Sequence, residues 1–311
     1  MHSGTTIDDK RVKAESRNDN TVKLKEIWLL CRDTLKEFSA DKVSRLGAAL
    51  AYYSVFSLGP LLILLIAIAG MIFGEEAVRG QVFEQLQGLI GEEGASAIQT
   101  MVIQSDKPRA GILSAMVGGI TLVLGATGVI VQLKDALNTI WEVKPKPDAG
   151  IRYFLKTYVI SLAAILGIGF LLIISLVASA VIAAMGSFAT SWLPLPEMAL
   201  HALNFVISLA FMSGLFSFLF KFLPDVRIPW PAVWPGALVT AILFTLGKLL
   251  IGLYLGKAAI ETTYGAAGSI IVVLVWIYYS SQIFLLGAEF TEVYARVRKF
   301  KTTPKDDVVS L

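Results

Sequence analysis

The chain has 311 residues, of which 55% are hydrophobic and 16% charged, with a formal net charge of +3. A soluble domain carries about a quarter charged residues, and here the charges gather in short clusters between long uncharged runs, which excludes an ordinary soluble fold. The mild positive balance forms no dense basic stripe, so a nucleic-acid binder is excluded, and the single Cys31 excludes an intrachain disulfide framework.

Residues 1–25 mix charges of both signs and hold no apolar core, so they read as a disordered cytoplasmic tail and not as a cleavable signal. Residues 26–40 place Ile27, Cys31, Leu35 and Phe38 at helical spacing, with Arg32, Asp33, Lys36 and Glu37 between them. This pattern predicts an amphipathic helix in the membrane surface.

Six apolar stretches follow, each long enough for a bilayer core that needs roughly 20 residues per helix. They lie at 46–74, 110–133, 153–183, 198–220, 234–256 and 262–288. The second continues amphipathically through Trp141, the third is expected to end near Gly186, Pro194 and Pro196, and Pro229, Pro231 and Pro235 are expected to lead into the fifth. Lys and Arg crowd alternate loops: Lys36, Lys42 and Arg45; then Lys144, Lys146, Arg152 and Lys156; then Lys221 and Arg227; then Arg296, Arg298, Lys299 and Lys301. By the positive-inside rule these loops and both termini face the cytoplasm.

The expected fold is therefore all-α, a polytopic membrane protein with six transmembrane helices in one domain over 26–300. An N-terminal interfacial helix precedes the bundle and a cytoplasmic tail over 301–311 follows it. The 75–109 loop is the largest extracytoplasmic piece. Val82, Leu86 and Leu89 share one helical face, and Ile98, Met101 and Val102 another, with Gly91 and Gly94 between them. Two short helices are predicted there, capping the bundle or gating it.

Enzyme chemistry finds little support. The histidines are His2 and His201, and no HExxH, Walker A loop or GxGxxG is present, so neither a metal site nor a cofactor is expected. Ionisable residues inside spans are functional candidates by default. Lys248 falls near mid-membrane in the fifth span, either snorkelling to the outer surface or facing the bundle interior, paired or binding an anionic group. Gly247, Gly252 and Gly256 beside it suit close helix packing. Toward the cytoplasmic leaflet stand Arg45, Gln132, Lys134, Asp135, Asn138, Glu289 and Glu292. Arg45 with Asp135 or Glu289 is the pairing expected to seal that end, unless these charges only mark where helices leave the hydrocarbon. Tyr52, Tyr53, Ser54 and Ser57, followed by Pro60, which can kink the first span, lie at a depth comparable to a similar belt of Tyr278, Tyr279, Ser280, Ser281 and Gln282 on the sixth; the two belts are expected to line a solute path or to bond helix to helix.

LGAALAYYSVFSLGPLL at 46–62, LPDVRIPWPAVWPGALVTAILFTLGKLLIGLYLG at 223–256 and YGAAGSIIVVLVWIYYSSQIFLLGAEFTEVYA at 264–295 closely resemble the YihY/virulence factor BrkB family, over about residues 30–300. The resemblance implies a six-helix protein of the bacterial inner membrane. Some members were once labelled ribonuclease BN, a label the missing metal ligands and basic groove argue against; others are linked to serum resistance, solute export, or lipid and lipopolysaccharide traffic. It also implies Tyr52, Tyr53, Pro60, Lys248, Tyr264, Gly265, Gly268, Tyr279, Gln282 and Glu289 as candidate positions without assigned roles. The expectation is an exporter of a small solute or lipid-like molecule with no ATP site of its own. The alternative is a non-transporting scaffold or partner subunit for envelope assembly. Membrane lipids, an unknown solute or lipid substrate, and either a second copy or a periplasmic protein are the expected partners.

Overall fold

The computed structural model describes residues 26–105, 112–148, 150, 151, 153, 155–167, 170, 197–257 and 268–310. The tail at 1–25, the far half of the third expected span with Gly186, Pro194 and Pro196, and Tyr264 and Gly265 lie outside them. Helix α1 covers 26–40, and α2 (Val43–Phe73) follows after Lys42 takes a left-handed conformation with φ 53°. Next come α3 (Glu75–Ser105), α4 (Ile112–Ile140), α5 (the apolar stretch Leu155–Gly167), α6 (Glu197–Phe222), α7 (Trp230–Lys257) and α8 (Gly268–Val297).

Four helices among the described residues are long and apolar enough to cross a membrane, with spans Val43–Ala67, Phe205–Phe222, Trp230–Ile251 and Ile270–Val297. In a bilayer core only structures that bond their own amides persist, so runs of this composition become spanning helices. Helix α2 packs on α3, α4 and α8; α8 packs on α7, and α7 on α6. A single large core, including Leu50, Ile130, Leu137, Ile165, Phe220, Val233 and Leu285, joins α2, α4, α5, α6, α7 and α8.

The α7–α8 seam is tight. A methyl group added at Gly236 would overlap the hydroxyl of Thr291, and one at Gly287 would overlap that of Thr240. Each threonine in turn donates its hydroxyl to the carbonyl of the glycine four residues earlier, at 2.7 Å in both cases. Small residues thus bring the two backbones together. Gly247 extends the seam against Tyr279 and Ile283, as the packing role expected of it requires.

Several expectations need correction. The 75–109 region does not form two short helices: α3 is helical throughout Glu75–Ser105, across Gly91 and Gly94. A glycine inside a helix costs only about 1 kcal/mol relative to alanine, and Val78, Ile98 and Val102 are buried against Leu62, Ile66 and Val273, which supplies the compensating packing. Of the three prolines expected to lead into the fifth span, only Pro229 precedes α7. Pro231 sits in the first turn, where its missing N–H is not needed, and Pro235 lies inside the helix. Pro60 likewise sits within a continuous α2, packed against Gly125.

The C-terminal segment is not a free tail. Strand β1 (Val143–Pro145) pairs antiparallel with β4 (Val308–Ser310), and β2 (Val226–Arg227) pairs with β3 (Thr303–Pro304). One short segment therefore ties the α4–α5 connection to the α6–α7 connection. These turns, α1 and the end of α8 form one polar end of the bundle.

Candidate functional site

At that polar end an ion pair is buried. Lys134 on α4 reaches Asp225, in the turn between α6 and α7, at 2.9 Å, and their side chains are 3% and 5% exposed. The sequence builds this locally: Lys134 shares the inward stripe of α4 with Ile130, Leu137 and Asn138, all buried. Asn138 donates from Nδ2 to Asp225 Oδ2 at 3.1 Å and accepts from the Asp225 backbone N–H at 2.8 Å. Tyr153, on the turn leading into α5, donates its hydroxyl to the same Oδ2 at 2.9 Å. Lys134 also donates to Thr157 Oγ1 at 3.1 Å and lies 4.9 Å from the Tyr153 ring centre. Two charges removed from water hold together only with such complete hydrogen bonding.

Lys305, between β3 and β4, closes the site from outside. Its ammonium donates to the Pro224 carbonyl at 2.7 Å and the Phe222 carbonyl at 3.3 Å, and its backbone N–H donates to the Asp225 carbonyl at 2.8 Å. A cation on the last carbonyls of α6 also complements the negative end of the helix dipole. Burial pushes the Lys305 ammonium below the ordinary lysine value; the Asp225 carboxylate opposes this, and Lys134, Lys156 and Arg227 reinforce it.

Beside this network lies an acidic group. Arg296 pairs with Glu37 at 2.7 Å and more loosely with Glu292 at 3.6 Å. Glu289 is 1% exposed, and its Oε1 has no hydrogen-bond partner among the described residues. Burial raises the Asp41 carboxyl above its usual value, as do the charges of Glu142 and Glu37, against a hydrogen bond shared with Glu289 and the attraction of Arg296.

The expected seal of Arg45 with Asp135 or Glu289 is therefore corrected. Arg45 is exposed, and no ion pair joins it to either carboxylate among the described residues. All three stand near one level, but Arg45 lies off the buried Val43–Gly47–Leu50 stripe of α2 and Asp135 off the buried stripe of α4. The basic partner is Lys134, one residue earlier, and the acidic partner is Asp225.

The two polar belts are only partly turned inward. Tyr52 and Tyr53 are 58% and 46% exposed, and Tyr52 packs at a tilt against Phe56 with ring centres 5.0 Å apart. The α2 hydroxyl that turns inward is Ser57, which is buried and meets Gly128 of α4. Gln282 packs against Gly47, so tightly that a methyl there would overlap its amide, and its Nε2 is buried without a partner among the described residues. Tyr279 packs on Gly247. Gly268 is the first residue of α8. Lys248 is exposed, in a shallow groove formed with Phe244, Ile251, Trp276, Tyr279, Ser280 and Ile283. The His201 side chain lies outside the described residues.

Sequence reasoning missed Asp225, Lys305, Tyr153 and Thr157. Asp225 carried a usable signal, since it is the sole carboxylate between residues 223 and 256. Lys305 carried none, because only the strand pairing brings it there.

These helices and their buried charges define a polytopic α-helical membrane protein. The profile of the virulence factor BrkB family matches residues 34–309, and the chain belongs to that family. It is 31% identical over 254 residues to a UPF0761 membrane protein of Pseudoalteromonas translucida, covering 81% of each chain. Identity is also 31% over 266 residues to one of Vibrio parahaemolyticus, covering 83% of this chain and 79% of the relative. A UPF0761 membrane protein of Verminephrobacter eiseniae is 27% identical over 271 residues, covering 85% of this chain. The chain spans 62% of that relative's length. No solved structure matches.

Proposed function

We propose that this chain is a transport protein of the bacterial inner membrane. It moves a small solute or lipid-like molecule outward, with no ATP site of its own and with its polar end and both termini in the cytoplasm. The buried Lys134–Asp225 pair carries the reading. Replacing a buried ion pair by apolar side chains of similar size is often neutral or stabilising, so stability alone gives no reason for one here. The pair joins α4, α5 and the α6–α7 turn at one level, where it closes the cytoplasmic end and can open only by breaking as a unit. The Lys and Arg distribution supports the orientation.

The scaffold alternative relies on the 75–109 region as a free docking loop. Helix α3 buries Val78, Ile98 and Val102 on the bundle itself, which leaves that reading with less surface.

The test is flux into reconstituted vesicles, using a fluorescent-headgroup lipid and a panel of small solutes, with and without an imposed proton gradient. Wild-type protein should move at least one probe faster than protein-free vesicles. Lys134→Met combined with Asp225→Asn should remain folded yet change that rate about 10-fold or more, by leak or by loss, as expected when a closed state loses about 1.4 kcal/mol or more. No protein-dependent flux of any probe, or wild-type flux from the folded double variant, would sink the proposal.

A further inference from the structure

The acidic group at the polar end contains a carboxyl with no cation of its own. Glu289, on α8, is 1% exposed, and its Oε1 has no hydrogen-bond partner among the described residues. The same carboxyl shares a hydrogen bond with that of Asp41, in the turn between α1 and α2. Ionised carboxylates only accept hydrogen bonds, so a bond between two of them requires a proton on the pair.

The surroundings offer no other way to neutralise it. Glu37 of α1, Glu142 just past α4 and Glu292 of α8 are the acids nearest the pair. Arg296 is the cation of this group, and it is engaged by Glu37 at 2.7 Å and Glu292 at 3.6 Å. Lys42 and Arg45, at the start of α2, are exposed. Helix α7 meets α8 near this level through Gly236 and Thr240, both uncharged. A buried carboxylate without a cation is too costly to persist and takes up a proton instead.

The pair also lies between water and the membrane interior. Asp41 is half-buried, so water at the polar end reaches it. Gln282 lies seven residues before Glu289, about 10.5 Å deeper on the same face of α8. Its Nε2 is buried against Gly47 of α2, again without a hydrogen-bond partner among the described residues. From Asp41 inward, the α2–α8 seam therefore carries two polar side chains, each with an unused atom.

We propose that Asp41 and Glu289 form a proton-binding site, with one proton shared between two carboxyl groups at the polar end of the α2–α8 seam. The proton comes from water at that end by way of Asp41. A metal ion is disfavoured, since no group of three potential ligands converges among the described residues. When the proton leaves, two facing carboxylates repel each other, and the turn that carries Asp41 is driven away from α8. The site supplies a coupling ion for the transport reading and rests on that reading only for movement; proton binding is measured without flux.

The test is infrared difference spectroscopy of the detergent-purified full chain between neutral and alkaline pH, which reads the carbonyl stretch of a protonated carboxyl group. The wild type should show this signal at neutral pH and lose it on the alkaline side. Asp41→Asn combined with Glu289→Gln should abolish it. Asp41→Asn alone should shift or remove it, because the pair has lost one member, and the half-buried position of Asp41 keeps this variant readable if the double one does not fold. Glu26→Gln, at the exposed pair with Arg298, should leave it unchanged. An identical signal in wild type and Asp41→Asn, no protonated carboxyl in the wild type at neutral pH, or loss of the signal on adding sodium or magnesium at fixed pH would each overturn the proposal. The expected signals in a chain that moves no probe across vesicles would retain the proton site and reject transport.

Discussion

Replacing Asp225 by asparagine changes one atom type in a side chain of nearly the same shape, and it leaves Lys134 charged, buried and unpaired. At 2.9 Å and an effective dielectric of about 20, the gross attraction of the pair is about 6 kcal/mol. Each ion gives up several kcal/mol of hydration on burial, so the intact pair contributes little net stability. Removing one partner is different: it strands the other charge and costs about 3–5 kcal/mol. In Asp225→Asn the new amide oxygen still accepts from Tyr153 and Asn138, so the loss is electrostatic and not a collapse of the hydrogen bonds. Combining Lys134→Met with Asp225→Asn removes the stranded charge and should recover most of that loss, a coupling of about 2–3 kcal/mol. The exposed pair Arg298–Glu26, 3.4 Å apart with side chains 52% and 50% exposed, supplies the control, since Glu26→Gln should cost no more than about 1 kcal/mol. Unfolding of the detergent-solubilised chain, followed by tryptophan fluorescence against denaturant, reads the wild type and all three variants. If Asp225→Asn costs no more than Glu26→Gln, or if the double variant is no more stable than the single one, the buried-pair reasoning fails.

Two further outcomes follow from the packing and the acidic group. Gly287→Ala should destabilise the same preparation by about 1–3 kcal/mol, because the added methyl overlaps Thr240 across the α7–α8 seam; Gly80→Ala, exposed on α3 with nothing within 4 Å of the new methyl, should stabilise it by up to about 1 kcal/mol. Equal effects at the two glycines would count against the seam. Asp41 titrates above its ordinary value of 3.8 in the folded chain, so over the window upward from 3.8 the folded state holds a proton that the unfolded state has released. Stability should therefore fall as pH rises through that window, and Asp41→Asn should flatten the slope of the unfolding midpoint against pH; an unchanged slope would remove Asp41 as its source.

Spans are legible because run length alone decides them: α2, α6, α7 and α8 follow from long apolar stretches, that of α7 interrupted only by Lys248, without reference to partners. The continuity of α3 is not, because Gly91 and Gly94 disfavour a helix by an amount that tertiary burial of Ile98 and Val102 easily offsets. The pairing of 303–310 with 143–145 and 226–227 is not either, since strands of two or three residues leave no periodic signal. The charge pairing fails for a more instructive reason. Depth is legible, for Arg45, Lys134, Asp135 and Glu289 all stand toward the polar end, but depth ignores phase. On α4 the buried stripe passes through Ala126, Ile130, Lys134 and Leu137, and Asp135 lies a further roughly 100° around the helix. Taken with the spacing of its apolar neighbours, Lys134 is the inward charge. An inward lysine in a membrane bundle demands a carboxylate from another element, and the α6–α7 turn supplies one in Asp225. Phase added to depth therefore selects the observed pair from residues that a level-by-level reading leaves equivalent.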